Sequence, residues 1–124
     1  MTRADVDAFV EAWVDAWNQR DIEAVLAHFA DDVTFTSPVA AAITGDATVR
    51  GKDAVRAYWQ TALERSTKLV FTLDRALWDA ERRELAIVYE RDADGARSRV
   101  CEILGLEDAG MVVRGEVMRG ADLP

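Results

Sequence analysis

Val6, Phe9, Val10, Trp13 and Trp17 recur at the three- and four-residue spacing of one helix face, while Asp7, Glu11 and Asp15 take other positions. That spacing predicts an amphipathic helix over residues 4–18. Asn18-Gln19-Arg20 breaks it. Asp21, a good N-cap, opens a second helix from Ile22 to Phe29, with Ile22, Val25, Leu26 and Phe29 on its apolar face. Asp31-Asp32 ends that helix, and the uncharged run Val33–Thr36 reads as a strand that stops at Ser37-Pro38. Residues 39–50 read as a short hairpin around Thr44-Gly45-Asp46. Gly51 precedes a third helix, Asp53 to Glu64, with Asp53 as its cap and Val55, Tyr58 or Trp59, and Leu63 facing inward.

From residue 67 the period changes to two. Leu69, Phe71, Leu73 and Leu77 share one strand face, and Leu85, Ile87 and Tyr89 share the next. Asp79 to Arg83, Asp92-Ala93-Asp94-Gly95 and Glu107-Asp108-Ala109-Gly110 are turn-rich. They divide the rest into a four-strand antiparallel meander, near 67–78, 84–91, 96–107 and 111–119. Helices first and meander second is an α+β arrangement. A curved sheet around amphipathic helices leaves room for a cavity between the two layers.

Length and composition narrow the classes. The 124 residues, half of them hydrophobic, suit one domain with one core. No apolar run approaches a membrane span, and the N-terminal stretch MTRADVDAF has no signal-peptide core. A cytoplasmic protein is therefore expected. The single cysteine, Cys101, excludes an internal disulfide. A net charge of −8 repels phosphates, which argues against nucleic acid as a partner. One histidine and one cysteine without ligand spacing argue against a metal, and no glycine-rich phosphate loop points to a nucleotide, so no cofactor is expected. His28, near the end of the second helix, reads as a solvated cation favoured by the helix dipole.

Several stretches resemble the nuclear transport factor 2-like superfamily, in particular its SnoaL-like and ketosteroid-isomerase-like branches. They are Trp13-x3-Trp17-Asn18-x2-Asp21, Leu26-x2-Phe29-Ala30-Asp31-Asp32-Val33-x-Phe35, Ser37-Pro38, and Gly51-Lys52-Asp53-Ala54-Val55 leading into Tyr58-Trp59. The likeness covers nearly all of residues 1–124. It implies a cone-shaped barrel, three N-terminal helices packed on a curved antiparallel sheet, commonly dimeric through the sheet's outer face. The fold hosts isomerases, cyclases, dehydratases, epoxide hydrolases and non-catalytic binders, so it fixes no function.

A ketosteroid isomerase uses an aspartate base with a tyrosine and a protonated aspartate as oxyanion donors. By resemblance the base falls at Ser37, the tyrosine at Trp13 and a further network tyrosine at Trp59, while the second carboxyl survives in kind as Glu102. Steroid isomerisation by that mechanism is not expected. An epoxide hydrolase of this fold would need an inward Asp-Arg-Asp group, and Arg99 and Arg114 read as outward.

Glu102 is the most informative single residue. Ser98, Val100, Glu102, Leu104 and Leu106 share one strand face that is otherwise apolar. Pairing about Asp108-Ala109 sets Glu102 opposite Gly115, with Val100 facing Val117 and Leu104 facing Val113, and the glycine would leave empty volume beside the acid. Desolvation there would raise its pKa and fit it for acid–base work. A one-residue slip would instead turn Glu102 outward, towards Arg114 or Arg99. Ser37 reads as a turn residue bonded to local backbone or as a polar group at the cavity mouth. Trp13, Trp17, Phe35, Trp59, Leu104 and Gly115 are the expected lining; tryptophans are core as often as ligand contacts. Trp78 would lie at the rim.

Two functions from different classes follow. One is a cofactor-free isomerase, cyclase or dehydratase acting on a small apolar molecule, with Glu102 and Ser37 as its polar groups. The other is a non-catalytic ligand-binding or protein-interaction domain. Ala86, Val88, Cys101 and Ile103 on the outer sheet face predict a homodimer.

Overall fold

The computed structural model describes residues 1–124. Helix α1 spans Arg3–Asn18 and α2 spans Ile22–Leu26. Strand β1 (Phe29–Thr36), helix α3 (Pro38–Thr44), strand β2 (Thr48–Arg50) and helix α4 (Lys52–Glu64) follow. Strands β3 (Leu69–Asp79), β4 (Glu84–Ala93), β5 (Ala96–Leu106) and β6 (Val112–Asp122) complete an α+β cone. The six strands form one sheet in the order β2-β1-β6-β5-β4-β3. The meander is antiparallel as expected, but β1 joins β6 in parallel, so the sheet is mixed. That pairing takes Phe29 out of the expected second helix, which stops at Leu26, and starts β1 four residues earlier than expected, with Phe29 beside Val112.

Local chemistry accounts for the helix ends. Thr2 and Asp5 form a reciprocal capping box at the start of α1: the Asp5 amide donates to Thr2 Oγ1 at 3.1 Å, and the Thr2 amide to Asp5 Oδ2 at 2.8 Å. The α1 face Val6, Val10, Trp13, Ala16 and Trp17 is buried, whereas Phe9 is only half-buried. Asp21 caps α2 through the Ala24 amide. Asp53 does not cap α4; the N-cap is Gly51, and Asp53 pairs with Arg56 instead.

Residues 38–44 form a helix where a hairpin was expected. Ser37 is its N-cap, Pro38 its first residue, and Gly45 ends it in the left-handed region at φ 84°. Proline at N1 and glycine at C′ are the usual punctuation of a short helix, and the alanines between favour it.

Two bulges set which residues face inward. Between Leu73 and Arg75, one extra residue in β3 reverses the alternation. Leu69 and Phe71 are buried before it and Ala76 after it, while Leu77 is exposed and Leu73 is left near the edge beside α1. The expected single apolar face of this strand is therefore wrong. The second bulge shifts β6 between its pairings with Gly105 and Leu106. Leu104 faces Gly115, Glu102 faces Val117 and Val100 faces Arg119, two residues away from the expected register.

The core is one cluster between helices and sheet, rich in aromatic rings. Trp13, Phe71 and Tyr89 meet at 4.5–5.7 Å, and Trp17, Trp59 and Phe35 continue the set. Edge-to-face and tilted contacts at these distances add to the burial term. No helix is long and apolar enough to cross a membrane.

Candidate functional site

A half-open cavity of about 100 Å³ lies between the inner face of β3–β6 and the helices. Helix α4 contributes Tyr58, Trp59 and Leu63, and α1 contributes Trp17. Ser37 and Pro38 stand where β1 passes into α3, next to Phe35. From the sheet come Phe71, Tyr89, Arg91, Val100, Glu102 and Arg119.

Glu102 reaches this cavity because β5 alternates in phase with the core: Ser98, Val100 and Leu104, its neighbours on the same face, are all buried. It is 4% exposed. The Tyr89 hydroxyl donates to Oε1 at 3.5 Å, a long contact, and Oε2 has no partner. Loss of water favours the protonated acid, and burial pushes its pKa up to about 8, with the Tyr89 contact only partly opposing this. Burial and the neighbouring Glu102 together hold the Tyr89 hydroxyl well above its ordinary pKa. Glu102 is the only carboxylate lining the cavity.

Ser37 is buried at 2% exposure and does two jobs. Its Oγ accepts from the Val39 amide at 3.2 Å, which caps α3, and from the Tyr58 hydroxyl at 3.1 Å. Its own hydrogen is left free to donate. Tyr58 is raised in pKa chiefly by burial.

Of the expected lining, Trp17, Phe35 and Trp59 border the cavity together with Ser37 and Glu102. Trp13, Leu104 and Gly115 do not. Trp13 stands one layer behind, its ring 5.3 Å from that of Tyr89. Leu104 is fully buried next to Gly115. The volume expected at Gly115 is taken by Phe35: a Cβ added to the glycine would lie 2.8 Å from Phe35 Cδ2. Trp78 packs part-buried against the core. His28 is exposed, edge-on to Phe9 at 5.2 Å.

Four polar liners lay outside the expected set: Tyr58 and Tyr89, which the pattern had placed only on apolar faces, and Arg91 and Arg119, which it had placed on no face. Arg91 continues the inward run Leu85, Ile87, Tyr89 by two residues, so the signal was present. Arg99 and Arg114 face outward as expected, paired with Asp74 and Glu84. No group of three or more His, Cys, Asp or Glu side chains is placed to hold a metal ion.

The family model of the SnoaL-like domain matches residues 10–115, and the chain belongs to that family. A SnoaL-like protein of unknown function from Burkholderia thailandensis is 31% identical, superposes with a TM-score of 0.87, and is matched over 97% of this chain and 98% of its own. A putative ketosteroid isomerase from Kribbella flavida is 21% identical with a TM-score of 0.74, over 96% of this chain and 80% of its own. A putative polyketide cyclase from Sinorhizobium meliloti is 18% identical with a TM-score of 0.75, over 95% of this chain and 100% of its own. The last two likenesses bear on the fold alone. No curated protein matches the sequence.

Proposed function

We propose that this protein is a cofactor-free enzyme that shifts a proton on a small, mostly apolar carbonyl compound, within the isomerase, cyclase and dehydratase range. The observation that carries the reading is Glu102: a buried acid, raised to a pKa of about 8, with Oε2 unpartnered in an aromatic cavity. A group poised near working pH both takes and returns a proton. In the proposed step, ionised Glu102 removes a proton from the carbon beside the carbonyl. The electron pair moves onto the carbonyl oxygen, which accepts a hydrogen bond from Ser37. Glu102 then returns the proton at carbon or oxygen. Ser37 itself takes no proton from carbon, because its hydroxyl has no base beside it.

The test is exchange of α-protons in D2O, followed by NMR, with acetophenone and phenylacetone as ring-sized probes. Wild-type protein should accelerate exchange, with a rate that rises through pH 8, and Glu102→Gln should remove the acceleration. Wild type matching the buffer rate with both ketones would sink the proposal.

A second reading, a binder without turnover, is favoured by the lone carboxylate, since acid–base catalysis usually draws on two groups. Saturable binding of the same ketones without exchange would favour it.

We also propose a homodimer through the outer sheet face. Leu77, Ala86 and Ile103 form one cross-strand row, and Val88, Cys101 and Met118 the next. Leu77 and Met118 are exposed. Arg75, Asp74, Arg99 and Glu116 lie on the same outer face with both charge signs, which lets a two-fold copy match opposite charges. Sedimentation should give a dimer, and Ile103→Glu a monomer; a monomeric wild type at high micromolar concentration rejects this interface.

A further inference from the structure

Arg91 is unlike the other arginines. Four are neither buried nor fully exposed: Arg56, Arg83, Arg91 and Arg97. Arg56 pairs with Glu23 and Asp53, Arg83 donates to the Glu107 carbonyl at 2.7 Å, and Arg97 pairs with Glu90. Arg91 has no carboxylate within 4.0 Å and no hydrogen bond from its guanidinium, although it faces the cavity. Its cross-strand neighbours are Phe71 and Ser98, and neither supplies it with an acceptor. A part-buried guanidinium loses water, so without a partner it is held at a cost. Arg119 lines the same mouth. Its one acidic contact is to Asp122 at 3.5 Å, and that carboxylate is 85% exposed, so it neutralises little. The two arginines thus put positive charge at one end of the cavity of a chain with net charge −8. The tyrosine hydroxyls and the carboxyl lie deeper. Glu102 pairs with Ile87 and stands four residue pairs from Arg91 along the sheet, about 13 Å in backbone level.

We propose that the cavity selects a carboxylate: a ligand whose ring-sized apolar body lies among Trp17, Phe71 and Trp59 and whose carboxylate is held at the mouth by Arg91, assisted by Arg119. This rests on the cavity being a ligand site, as proposed above, and it adds the class of ligand. Guanidinium meets a carboxylate through paired N–H donors, which gives direction as well as attraction. A cavity of about 100 Å³ holds no more than the ring, so the acidic group projects into the open mouth where the arginines stand.

Trp17 and Trp59 line the cavity, so tryptophan fluorescence reports on occupancy. The probes are 3-phenylpropanoate and its neutral counterpart, 3-phenylpropan-1-ol. Wild-type protein should bind the carboxylate at least about tenfold more tightly than the alcohol. Arg91→Met should lower the carboxylate to the level of the alcohol and leave the alcohol unchanged, and Arg119→Met should give a smaller loss. Arg91→Met should unfold at a temperature no lower than wild type, which separates lost recognition from lost fold. Equal affinity for the two probes, a preference that survives Arg91→Met, or no binding of the carboxylate overturns the proposal. Carboxylate preference without α-proton exchange defeats the enzyme reading and leaves this one standing. Exchange without that preference does the reverse.

Discussion

Phe35 lies over Gly115: an added Cβ on the glycine would come within 2.8 Å of Phe35 Cδ2 and 3.3 Å of Leu104 Cδ2. The missing side chain in β6 is thus the seat of a ring from β1, and that ring in turn borders the cavity. Gly115→Ala should push Phe35 towards Trp59, whose centroid is already 5.3 Å away. Overpacking of this kind costs roughly 1–3 kcal/mol. Urea denaturation should show that loss, and probe binding measured by tryptophan fluorescence should weaken with it. An alanine variant as stable as wild type would mean that Phe35 moves aside freely.

Ser37 links a helix cap to a tyrosine. Ser37→Ala removes the acceptor for the Val39 amide and for the Tyr58 hydroxyl. The lost cap costs about 1 kcal/mol, and a buried hydroxyl left unpaired adds to it. Tyr58→Phe should cost less, because Ser37 keeps its cap bond. The double variant should be less destabilised than the sum of the two, since the second change removes the group that the first left stranded. Chemical denaturation of the four proteins measures this; strict additivity contradicts the Ser37–Tyr58 bond.

Glu102 makes stability depend on pH with a definite sign. Its folded pKa, about 8, lies above the ordinary value of 4.5. Between those values the folded protein binds more protons than the unfolded chain. Stability is therefore greatest below about pH 4.5 as far as this group is concerned, falls as pH rises towards 8, and levels off above it. At about 1.4 kcal/mol per pKa unit the penalty is several kcal/mol. Melting temperatures of wild type and Glu102→Gln should diverge in favour of the variant from pH 5 to pH 9. Parallel curves across that range would place the acid in contact with water.

The parts of the fold that were legible in the sequence depend on local pattern. The α1 stripe and the β4 and β5 alternation follow from spacing within one element; the face of Glu102 was left open by that spacing, and the register of the sheet turns it inward. What was not legible depends on one extra residue in a strand. The bulge after Leu73 moved Leu77 outside; in β5–β6 the turn, which pairs Leu106 with Val112, and the bulge beyond it each add one of the two residues that set Val117 rather than Gly115 against Glu102. Such bulges leave no mark in the binary pattern, because the register is a property of two strands. The parallel contact of β1 with β6 joins distant segments for the same reason. Helix α3 was not expected although Ser37-Pro38 and Gly45 mark its ends, because Thr44-Gly45-Asp46 carries the same residues as a hairpin turn. Arg91 carries the inward period of β4 one step past Tyr89, where the apolar stripe that marks the face has already ended.

Asn18, read from sequence as the end of a helix, also anchors the edge of the sheet. Its Nδ2 donates to the Phe71 carbonyl at 3.0 Å, and the Phe71 amide donates to its Oδ1 at 2.7 Å. β3 is the last strand of the sheet, so this side chain does for Phe71 what a further strand would do. Phe71 stacks at 4.5 Å on Tyr89, the one hydrogen-bond partner of Glu102. Asn18→Ala leaves an amide and a carbonyl unpaired and should cost about 1–3 kcal/mol. Asn18→Asp keeps the acceptor but sets a carboxylate against the carbonyl. Hydrogen exchange at the Phe71 amide should therefore quicken in the alanine variant and stay slow in the aspartate one, while both lower the melting temperature. Equal protection of that amide in all three proteins would show that the strand edge is held by something other than Asn18. A loosened Phe71 should also free the Tyr89 ring, so the alanine variant should bind cavity probes more weakly than its loss of stability alone explains.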